Sequence, residues 1–463
     1  MPSLSAIGSV SHAATSAAKS GSLEVCCVSV STPTAPTTAP SRFVALEKGF
    51  VLSDSEDRAS VFETEGRWFE SNRVRLTGHS PDSARSVARE CIAAVERALA
   101  ASADTELAKA VTRLSDLYTS ERGKLTREQA SVSHLVAKSE YFLASDAPKI
   151  GLALTECAAR SAAFARLSAL DTIRVTDLGA GVGATSVGFM AWLAGARAAS
   201  GLTNRIRIEL HAIELGEPAA RAFERSVQAA AEHCGFDLAL RIEAKDFRGV
   251  TVEARDLILC QTALNELLIG DTHSRETAAM VARWATAAPL LVIEPALKTT
   301  TRALMMLRDA LLALGGMHVV APCLHQQRCP MLAREGDWCH EARRIEPTPR
   351  VLTIDKLVGR RDERALFAFL ACAPAAVIAS DARVTMRIVT DTLGSRGKTE
   401  RLVCRSDGEM RMMRLLDREV SESNALFLKA KRGDTLEITP IPDNDRIAVL
   451  ATVQANISQI SLP

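Results

Sequence analysis

The feature that most constrains the fold is a regular alternation of short apolar runs with alanine-rich segments from Arg174 to Leu314. The apolar runs, such as 257–260 and 290–293, have the length of strands that are buried on both faces. The alanine-rich segments between them are long enough to be helices. Because parallel strands need crossover connections, this order predicts a parallel sheet with helices packed on both faces.

A glycine-rich turn follows the first predicted strand, where residues 175–185 read VTDLGAGVGAT. Glycine lets the backbone turn tightly and approach a ligand without a Cβ in the way. In an open α/β sheet such a turn places the ligand at a helix N-terminus. The spacing of Gly179, Gly181 and Gly183 after Asp177 resembles motif I of S-adenosylmethionine-dependent methyltransferases, whereas a dinucleotide enzyme more often has Gly-x-Gly-x-x-Gly. We therefore predict an α/β fold with a class I, Rossmann-like S-adenosylmethionine-binding core.

Four further positions complete the predicted cofactor site. Glu214 ends the second predicted strand, where a carboxylate can accept both ribose hydroxyls. Asp246 and Phe247 follow the third strand, and the resemblance to methyltransferases implies a bond to the adenine amino group and a contact with its ring. Asn265 lies in the loop after the fourth strand, which reads QTALNEL at 261–267. That loop has neither the Asn/Asp-Pro-Pro-aromatic stretch of amine methylases nor an evident base, so the sequence supports cofactor binding better than methyl transfer.

A second candidate site is a loop with three cysteines and two histidines within 18 residues. The thiolates of Cys323, Cys329 and Cys339 are soft ligands that suit zinc or an iron–sulfur cluster. Their spacings, five and nine intervening residues, match neither a zinc ribbon nor the compact ferredoxin run, so spacing leaves the metal undecided. A centre with four thiolates would need a ligand from elsewhere, and Cys372 and Cys404 are the downstream candidates.

Composition limits the partners of the chain. The net charge of the 463 residues is +1, so any surface that binds nucleic acid must be a local patch. No apolar run reaches the length of about 18 residues that a transmembrane helix needs, and we expect no membrane partner. The eleven cysteines, an odd number without a signal-like apolar segment, do not predict a secreted disulfide framework.

The chain divides into five predicted regions. Residues 1–42 are rich in Ser, Ala, Thr and Pro and poor in acidic residues, which favours a disordered or mitochondrial targeting segment. Residues 43–168 form a helical region, with apolar residues at helical spacing in 83–101, 106–118 and 149–167. The others are a methyltransferase core at 169–320, a cysteine-rich metal region at 321–380, and a small β-rich domain at 381–463 with strand-like runs at 383–389, 401–404 and 435–438.

The order of these motifs resembles the mitochondrial small-ribosomal-subunit methyltransferase-like family, whose members pair a Rossmann core with a cysteine-bearing insertion. The resemblance covers roughly Tyr141 to Asp434, and its cysteine stretch is the most diagnostic part. The matching stretches are DLGAGVG (177–183), LNEL (264–267), IEP (293–295), APC (321–323), CP (329–330), DWCH (337–340), RGK (396–398), LVC (402–404) and KAKRGD (429–434).

The resemblance implies a 4Fe–4S cluster held by Cys323, Cys329, Cys339 and Cys404, which favours Cys404 over Cys372. It also implies a role in the mitochondrial matrix, where the protein would assemble the small ribosomal subunit with that subunit's rRNA, its ribosomal proteins and other assembly factors. Eleven Lys or Arg against seven Asp or Glu between residues 387 and 432 give a modest basic excess that suits phosphate contacts. The RNA-binding candidates are Arg396, Lys398, Arg401, Lys429, Lys431 and Arg432.

Three functions remain open at this point. The first is an assembly factor that uses a methyltransferase-like fold to bind rRNA and the pre-ribosome, with the cluster as a structural element. The second is an active S-adenosylmethionine-dependent methyltransferase that acts on rRNA or a ribosomal protein. The third is a radical enzyme, which the cysteine spacing disfavours because such enzymes usually use C-x₃-C-x₂-C and a partial barrel.

Overall fold

The computed structural model describes residues 81–119, 132–253, 255–268, 274–360, 364–375, 385–442 and 444–457, all within one compact unit. The predicted targeting segment at 1–42 and the first part of the predicted helical region, 43–80, lie outside the described residues. No helix within the described ranges is both long and apolar enough to cross a membrane.

The N-terminal part of the described chain is helical, as the apolar spacing predicts. Residues such as Cys91, Val95 and Leu107 are buried because they recur on one face of each helix. The third predicted helix is interrupted at Ser161, whose extended backbone ends one helix and precedes a shorter one. The elements are α1 (Pro81–Leu99), α2 (Asp104–Thr119), α3 (Val132–Ala137), a π-helical turn (Lys138–Phe142), α4 (Leu143–Arg160) and α5 (Ala162–Ala165).

The central element is a mixed sheet whose strand order is β3-β2-β1-β4-β5-β8-β6, with β7 paired to β8. Strands β1 to β5 run parallel, and β8 runs antiparallel to its three neighbours. The strands are β1 (Thr172–Leu178), β2 (Arg207–Ile213), β3 (Asp237–Glu243), β4 (Leu257–Gln261), β5 (Leu290–Pro295), β6 (Met317–Ala321), β7 (Glu341–Arg344) and β8 (Arg364–Pro374). This Rossmann-like sheet confirms the predicted class I methyltransferase fold.

Helices cover both faces of this sheet, and alternate residues of each strand divide between two cores. On β4, Leu257 and Leu259 pack with the N-terminal helices, whereas Ile258 and Cys260 pack on the opposite face. The remaining helices of this part are α6 (Ala184–Ala199), α7 (Glu217–Cys234), α8 (Asn265–Leu268), α9 (Ser274–Ala287), α10 (Lys298–Leu314) and α11 (Pro349–Leu357).

The predicted end of the core at residue 320 needs correction. Strand β8 lies between β5 and β6 in the main sheet, so this sheet includes residues that the sequence analysis assigned to the cysteine-rich region. The strand was missed because its sequence, RALFAFLACAP, has no β-branched residue and is rich in alanine. Its burial on both faces, rather than local propensity, stabilises it as a strand.

The described C-terminal residues form a second sheet, which is antiparallel and confirms the predicted β-rich region. Its order is β10-β11-β9-β13-β14, with β12 paired to β11. All three predicted runs, 383–389, 401–404 and 435–438, contain strands. The elements are β9 (Thr385–Ile388), β10 (Leu393–Ser395), β11 (Lys398–Arg405), β12 (Met410–Leu416), α12 (Leu426–Lys429), β13 (Thr435–Thr439) and β14 (Thr452–Ile457).

A buried network of ion pairs, which we call the arginine network, joins the two sheets to the N-terminal helices. Arg387 of β9 donates to Glu156 of α4 and, at 2.6 Å, to Glu341 of β7. Arg343 of β7 pairs with Glu341 and with Asp434, which precedes β13. Burial would raise the pKa of Glu341, but the two arginines lower it to about 2, so this carboxylate stays ionised.

We predict that Arg387→Met destabilises the protein by about 3–5 kcal/mol, because Glu156 and Glu341 would remain buried without their main partner. Urea denaturation followed by circular dichroism measures this loss. A matched control is Arg221→Met, which removes an exposed arginine paired with Glu217 and should change the free energy of unfolding by less than about 0.5 kcal/mol. A loss for Arg387→Met as small as the control's would contradict the role given to the network.

Candidate functional site

The glycine turn between β1 and α6 has the backbone that the motif predicts. Gly179, Gly181 and Gly183 have φ angles of +70°, +54° and +103°, which L side chains rarely adopt. A Cβ on Gly183 would lie 2.2 Å from the Ser226 hydroxyl oxygen, and one on Gly179 would lie 2.6 Å from the Ala263 Cβ. The turn therefore accepts only glycine at these two positions without a shift of its neighbours.

Glu214, at the end of β2, lies directly at this turn. One carboxylate oxygen accepts the Gly181 backbone N–H at 2.8 Å, and the other accepts the Gly216 N–H at 2.8 Å. A carboxylate oxygen can accept more than one hydrogen bond, so both oxygens remain able to accept hydroxyl donors. The structure thus brings the predicted ribose-binding acid and the glycines together.

Asp177 plays a different part from the other predicted residues, because it lies behind the turn. Its side chain is completely buried and accepts the Ser186 hydroxyl of α6 at 2.6 Å. Burial, with a smaller contribution from the Glu214 carboxylate, raises the pKa of Asp177 to about 7, although the hydrogen bond from Ser186 lowers it. Asp177 therefore fixes α6 relative to β1 rather than presenting its oxygens at the surface of the turn.

Phe247 lies beside the turn, and Asp246 caps the short helical turn that begins there. The Phe247 ring would be 3.6 Å from a Cβ on Gly179, and it packs 6.1 Å from the Trp284 ring centroid. Asp246 accepts the Arg248 backbone N–H at 3.0 Å and its side-chain Nε–H at 2.8 Å. The aromatic residue is thus placed to flank a planar ring, whereas the neighbouring acid is engaged by arginine.

Asn265 is buried at the carboxyl ends of β4 and β5, where it bonds Glu294. Its backbone N–H donates to one Glu294 oxygen at 3.1 Å, and its side-chain amide donates to the other at 2.7 Å. Burial raises the pKa of Glu294 to about 8, although these hydrogen bonds lower it. Glu294 lies near the end of β5, and the sequence did not predict its pairing with Asn265.

Sequence reasoning missed two buried polar residues next to this pair. Thr185 of α6 donates its hydroxyl to the Gln261 side-chain oxygen at 3.3 Å. The Gln261 amide nitrogen is buried and, among the described residues, has no hydrogen-bond partner. Thr185 lies in the first turn of the helix that follows the glycines, and Gln261 ends β4. These positions are the signals that could have identified the two residues.

The four predicted ligands Cys323, Cys329, Cys339 and Cys404 line a single cavity. The cavity encloses ≈ 50 Å³, more than a single water molecule requires. Burial, together with a smaller contribution from Cys323, raises the pKa of Cys329 to about 11 and that of Cys404 to about 12. Cys323 also raises the pKa of Cys339, after burial, so its sulfur is within electrostatic reach of all three others.

Arginines of α10 hold the cysteine loop against the main sheet. Arg302 donates to the backbone carbonyls of Leu332, Arg334 and Asp337. Arg308 donates to the His325 carbonyl at 2.6 Å and to the Gln327 carbonyl, while the neighbouring Asp309 accepts the Cys329 backbone N–H at 3.0 Å. Cys404 approaches from β11 of the C-terminal sheet, so the cavity lies between the two sheets.

Apolar residues as well as cysteines line the cavity. Among the residues that the structure describes, no group of three His, Cys, Asp or Glu side chains meets the geometry of a metal site. Methionines Met305, Met331 and Met410 contribute to its walls, which are mostly apolar.

Of the six basic residues predicted to contact RNA, Arg401 is not available for such a contact. It is only 1% exposed, and its guanidinium donates to the carbonyls of Phe427 and Leu428 and lies over the Phe427 ring. Arg401 therefore stabilises the C-terminal sheet from inside. Arg396, Lys429 and Lys431 are exposed, whereas Lys398 pairs with Glu400 and Arg432 donates to the Val389 carbonyl.

A family model described as mitochondrial small ribosomal subunit Rsm22 matches residues 144–435. The chain belongs to this family. The match extends from α4 to β13 and agrees with the predicted range Tyr141 to Asp434. It includes the glycine turn, all four cysteines of the cavity and the basic segment 429–432. Family membership places the chain among the proteins of the mitochondrial small ribosomal subunit. No curated protein sequence matches the chain.

Several solved methyltransferase structures resemble the fold only distantly. The precorrin-6y C5,15-methyltransferase of Geobacter metallireducens is 13% identical, with a TM-score of 0.25 over 47% of this chain and 88% of its own. A Listeria monocytogenes protein described as a class I S-adenosylmethionine-dependent methyltransferase is 10% identical, with a TM-score of 0.30 over 65% and 90%. A Geobacter sulfurreducens methyltransferase in complex with S-adenosyl-L-homocysteine is 14% identical, with a TM-score of 0.25 over 49% and 90%. The strand order of the sheet, rather than these scores, supports the fold.

We predict that Glu294 makes the protein less stable as pH rises. An unfolded glutamate loses its proton near pH ~4.3, whereas folded Glu294 keeps it up to a pH of about 8. Between these values the unfolded state binds fewer protons, so the free energy of unfolding falls with rising pH and then levels off. Glu294→Gln should flatten the dependence of the free energy of unfolding on pH in this range. The Asn265 side chain can rotate by 180° so that its oxygen accepts a hydrogen bond from the new Gln amide. Urea denaturation across this pH range tests it, and an unchanged slope in the variant would contradict it.

Proposed function

We propose that the protein is an assembly factor that binds the rRNA of the mitochondrial small ribosomal subunit through its methyltransferase-like fold. A 4Fe–4S cluster held by Cys323, Cys329, Cys339 and Cys404 stabilises this fold in the mitochondrial matrix. One observation supports the cluster most directly. Four thiols from a loop of the main sheet and from a strand of the C-terminal sheet line one cavity, although 81 positions separate the first from the last.

The residues around the cavity fit such a cluster. Thiolates are the usual ligands of iron–sulfur clusters, and a cubane spreads its four ligands farther apart than a single ion does. The cluster with four thiolates carries a net negative charge, and Arg308 and Arg387 both line the cavity. The Nε atom of each arginine is buried and has no hydrogen-bond partner among the described residues. Two cationic donors are therefore available at the walls of the cavity.

When bound, the cluster supplies covalent cross-links between the cysteine loop and β11. The loop is already attached to α10 by Arg302 and Arg308, and β11 is the strand on which both β9 and β12 pair. A group bonded to all four sulfurs would therefore connect the Rossmann-like sheet to the C-terminal sheet. Binding free energy of this kind adds directly to folding free energy.

We predict that Cys404→Ser loses most of the iron and sulfide of anaerobically purified protein and that its C-terminal sheet unfolds at a lower urea concentration. Cys372→Ser is the matched control, because Cys372 is a buried cysteine of β8 that lies outside the residues that line the cavity. Iron and sulfide analysis measures the first effect. Equal iron in the Cys404 variant and wild type would exclude Cys404 as a ligand, and loss in the Cys372 variant alone would favour the other downstream candidate.

Several contacts support binding of S-adenosylmethionine more strongly than methyl transfer. The glycine turn, Glu214 and Phe247 lie together, as a nucleoside-binding site requires. In contrast, Asn265 and Glu294 satisfy each other at the strand ends where a methyl acceptor would be positioned. The exposed Arg396, Lys429 and Lys431 give the C-terminal sheet a basic surface that suits rRNA phosphates.

We predict that Gly179→Val abolishes S-adenosylmethionine binding, because its side chain would clash with Ala263, but still supports small-subunit assembly in cells that lack the protein. Isothermal titration measures cofactor binding, and sucrose-gradient profiles measure assembled subunits. Gly201→Val is the control, because Gly201 also has a positive φ but faces open space. Loss of both assembly and a specific methyl group in rRNA or a ribosomal protein would contradict the assembly role and support an active methyltransferase.

A further inference from the structure

His325 is a buried histidine of the cysteine cavity that the proposed ligand set leaves unused. It lines the cavity and is 4% exposed. Its Nε2 atom lies 3.5 Å from the Sγ atom of Cys404. Because Cys404 belongs to the C-terminal sheet and His325 to the loop beside α10, this contact crosses the boundary between the two sheets.

The surroundings of the imidazole decide which nitrogen carries the proton. The Gln327 backbone N–H donates to Nδ1 at 3.2 Å, and an Nη2 hydrogen donor of Arg308 lies 3.4 Å from the same atom. Both neighbours can only donate, so Nδ1 must accept and cannot carry a proton. The ring proton is therefore on Nε2, the nitrogen that faces Cys404.

We propose that His325 donates its Nε2–H to the Cys404 sulfur and thereby positions this ligand and tunes the reduction potential of the cluster. The inference rests on the proposed function, because it assumes the 4Fe–4S cluster. A hydrogen bond to a thiolate ligand withdraws electron density from the sulfur and so stabilises the more negative, reduced form of the cluster. Removal of the bond should make the cluster harder to reduce.

Arg308 keeps the imidazole in this orientation. It donates to the His325 carbonyl at 2.6 Å as well as approaching Nδ1, and it is itself 2% exposed. A rotated ring would take the Nδ1 acceptor away from the Gln327 N–H in a partly buried site, which is costly. The histidine is therefore a positioning residue whose partner is a ligand, and not a ligand of its own.

The test compares full-length wild type with His325→Phe and His325→Gln after anaerobic cluster reconstitution. Reductive titration followed by electron paramagnetic resonance gives the midpoint potential. His325→Phe should keep its iron and sulfide, while the ratio of reduced to oxidised cluster at a fixed potential falls about tenfold, which is 59 mV for a one-electron couple. His325→Gln should recover part of the shift, because its amide can donate a hydrogen bond.

His340→Gln is the matched control and should keep the wild-type potential. His340 lies on the same loop, but it stacks on Trp338 and is not among the residues that line the cavity. An intact cluster with unchanged potential in His325→Phe would overturn this inference and leave the proposed function standing. Wild type without iron and sulfide after reconstitution would overturn both.

A measurement on the wild-type protein tests the same inference if a variant does not fold. Reduced wild type labelled with ¹⁵N-histidine should show a weak hyperfine coupling between one imidazole nitrogen and the cluster. The coupling should be too small for a direct Fe–N bond. Absence of any coupling would overturn the inference, and so would a strong coupling, because it would make His325 a ligand.

Discussion

The structure depends most on Arg387, whose guanidinium lies between Glu156 and Glu341 in the arginine network. The three residues come from β9, α4 and β7, so one buried cation joins the N-terminal helices, the main sheet and the C-terminal sheet. Such a group is costly to bury and is tolerated only where its partners are fixed. Arg160 extends the network to the cysteine loop, because it donates to the Pro322 carbonyl. The arrangement of the cysteine cavity thus depends on ion pairs that contribute no ligand.

The cofactor side of the molecule could largely be predicted from sequence, because its signals are local. Strand ends and the turn with Gly179 and Gly183 follow from periodicity and from backbone angles that only glycine tolerates. The roles of Asp177 and Arg401 could not be predicted in this way. Both are charged residues in motifs that usually face ligands, yet tertiary packing buries them and gives them internal partners. Strand β8 was missed for the same reason, since its burial outweighs its alanine-rich sequence.

The spacing of cysteines in the sequence could not identify the fourth thiol of the cavity. Spacing left Cys372 and Cys404 as equal candidates, because either could reach the loop if the chain returned to it. In the structure Cys372 packs in the core beneath the main sheet, whereas Cys404 projects from another sheet into the cavity. The choice depends on how two sheets pack against each other, which is a long-range property. Only the family resemblance favoured Cys404 on the basis of the sequence.

The insertion of β8 between β5 and β6 has a consequence for the order in which the molecule can be built. A chain that is threaded into its compartment N-terminus first delivers β6 and three of the thiols before the strand that must lie beside β6. The central sheet stays open at that edge until residue 374 has entered, and Cys404 arrives later still. The fourth thiol of the cavity therefore becomes available only after every strand of the central sheet has entered.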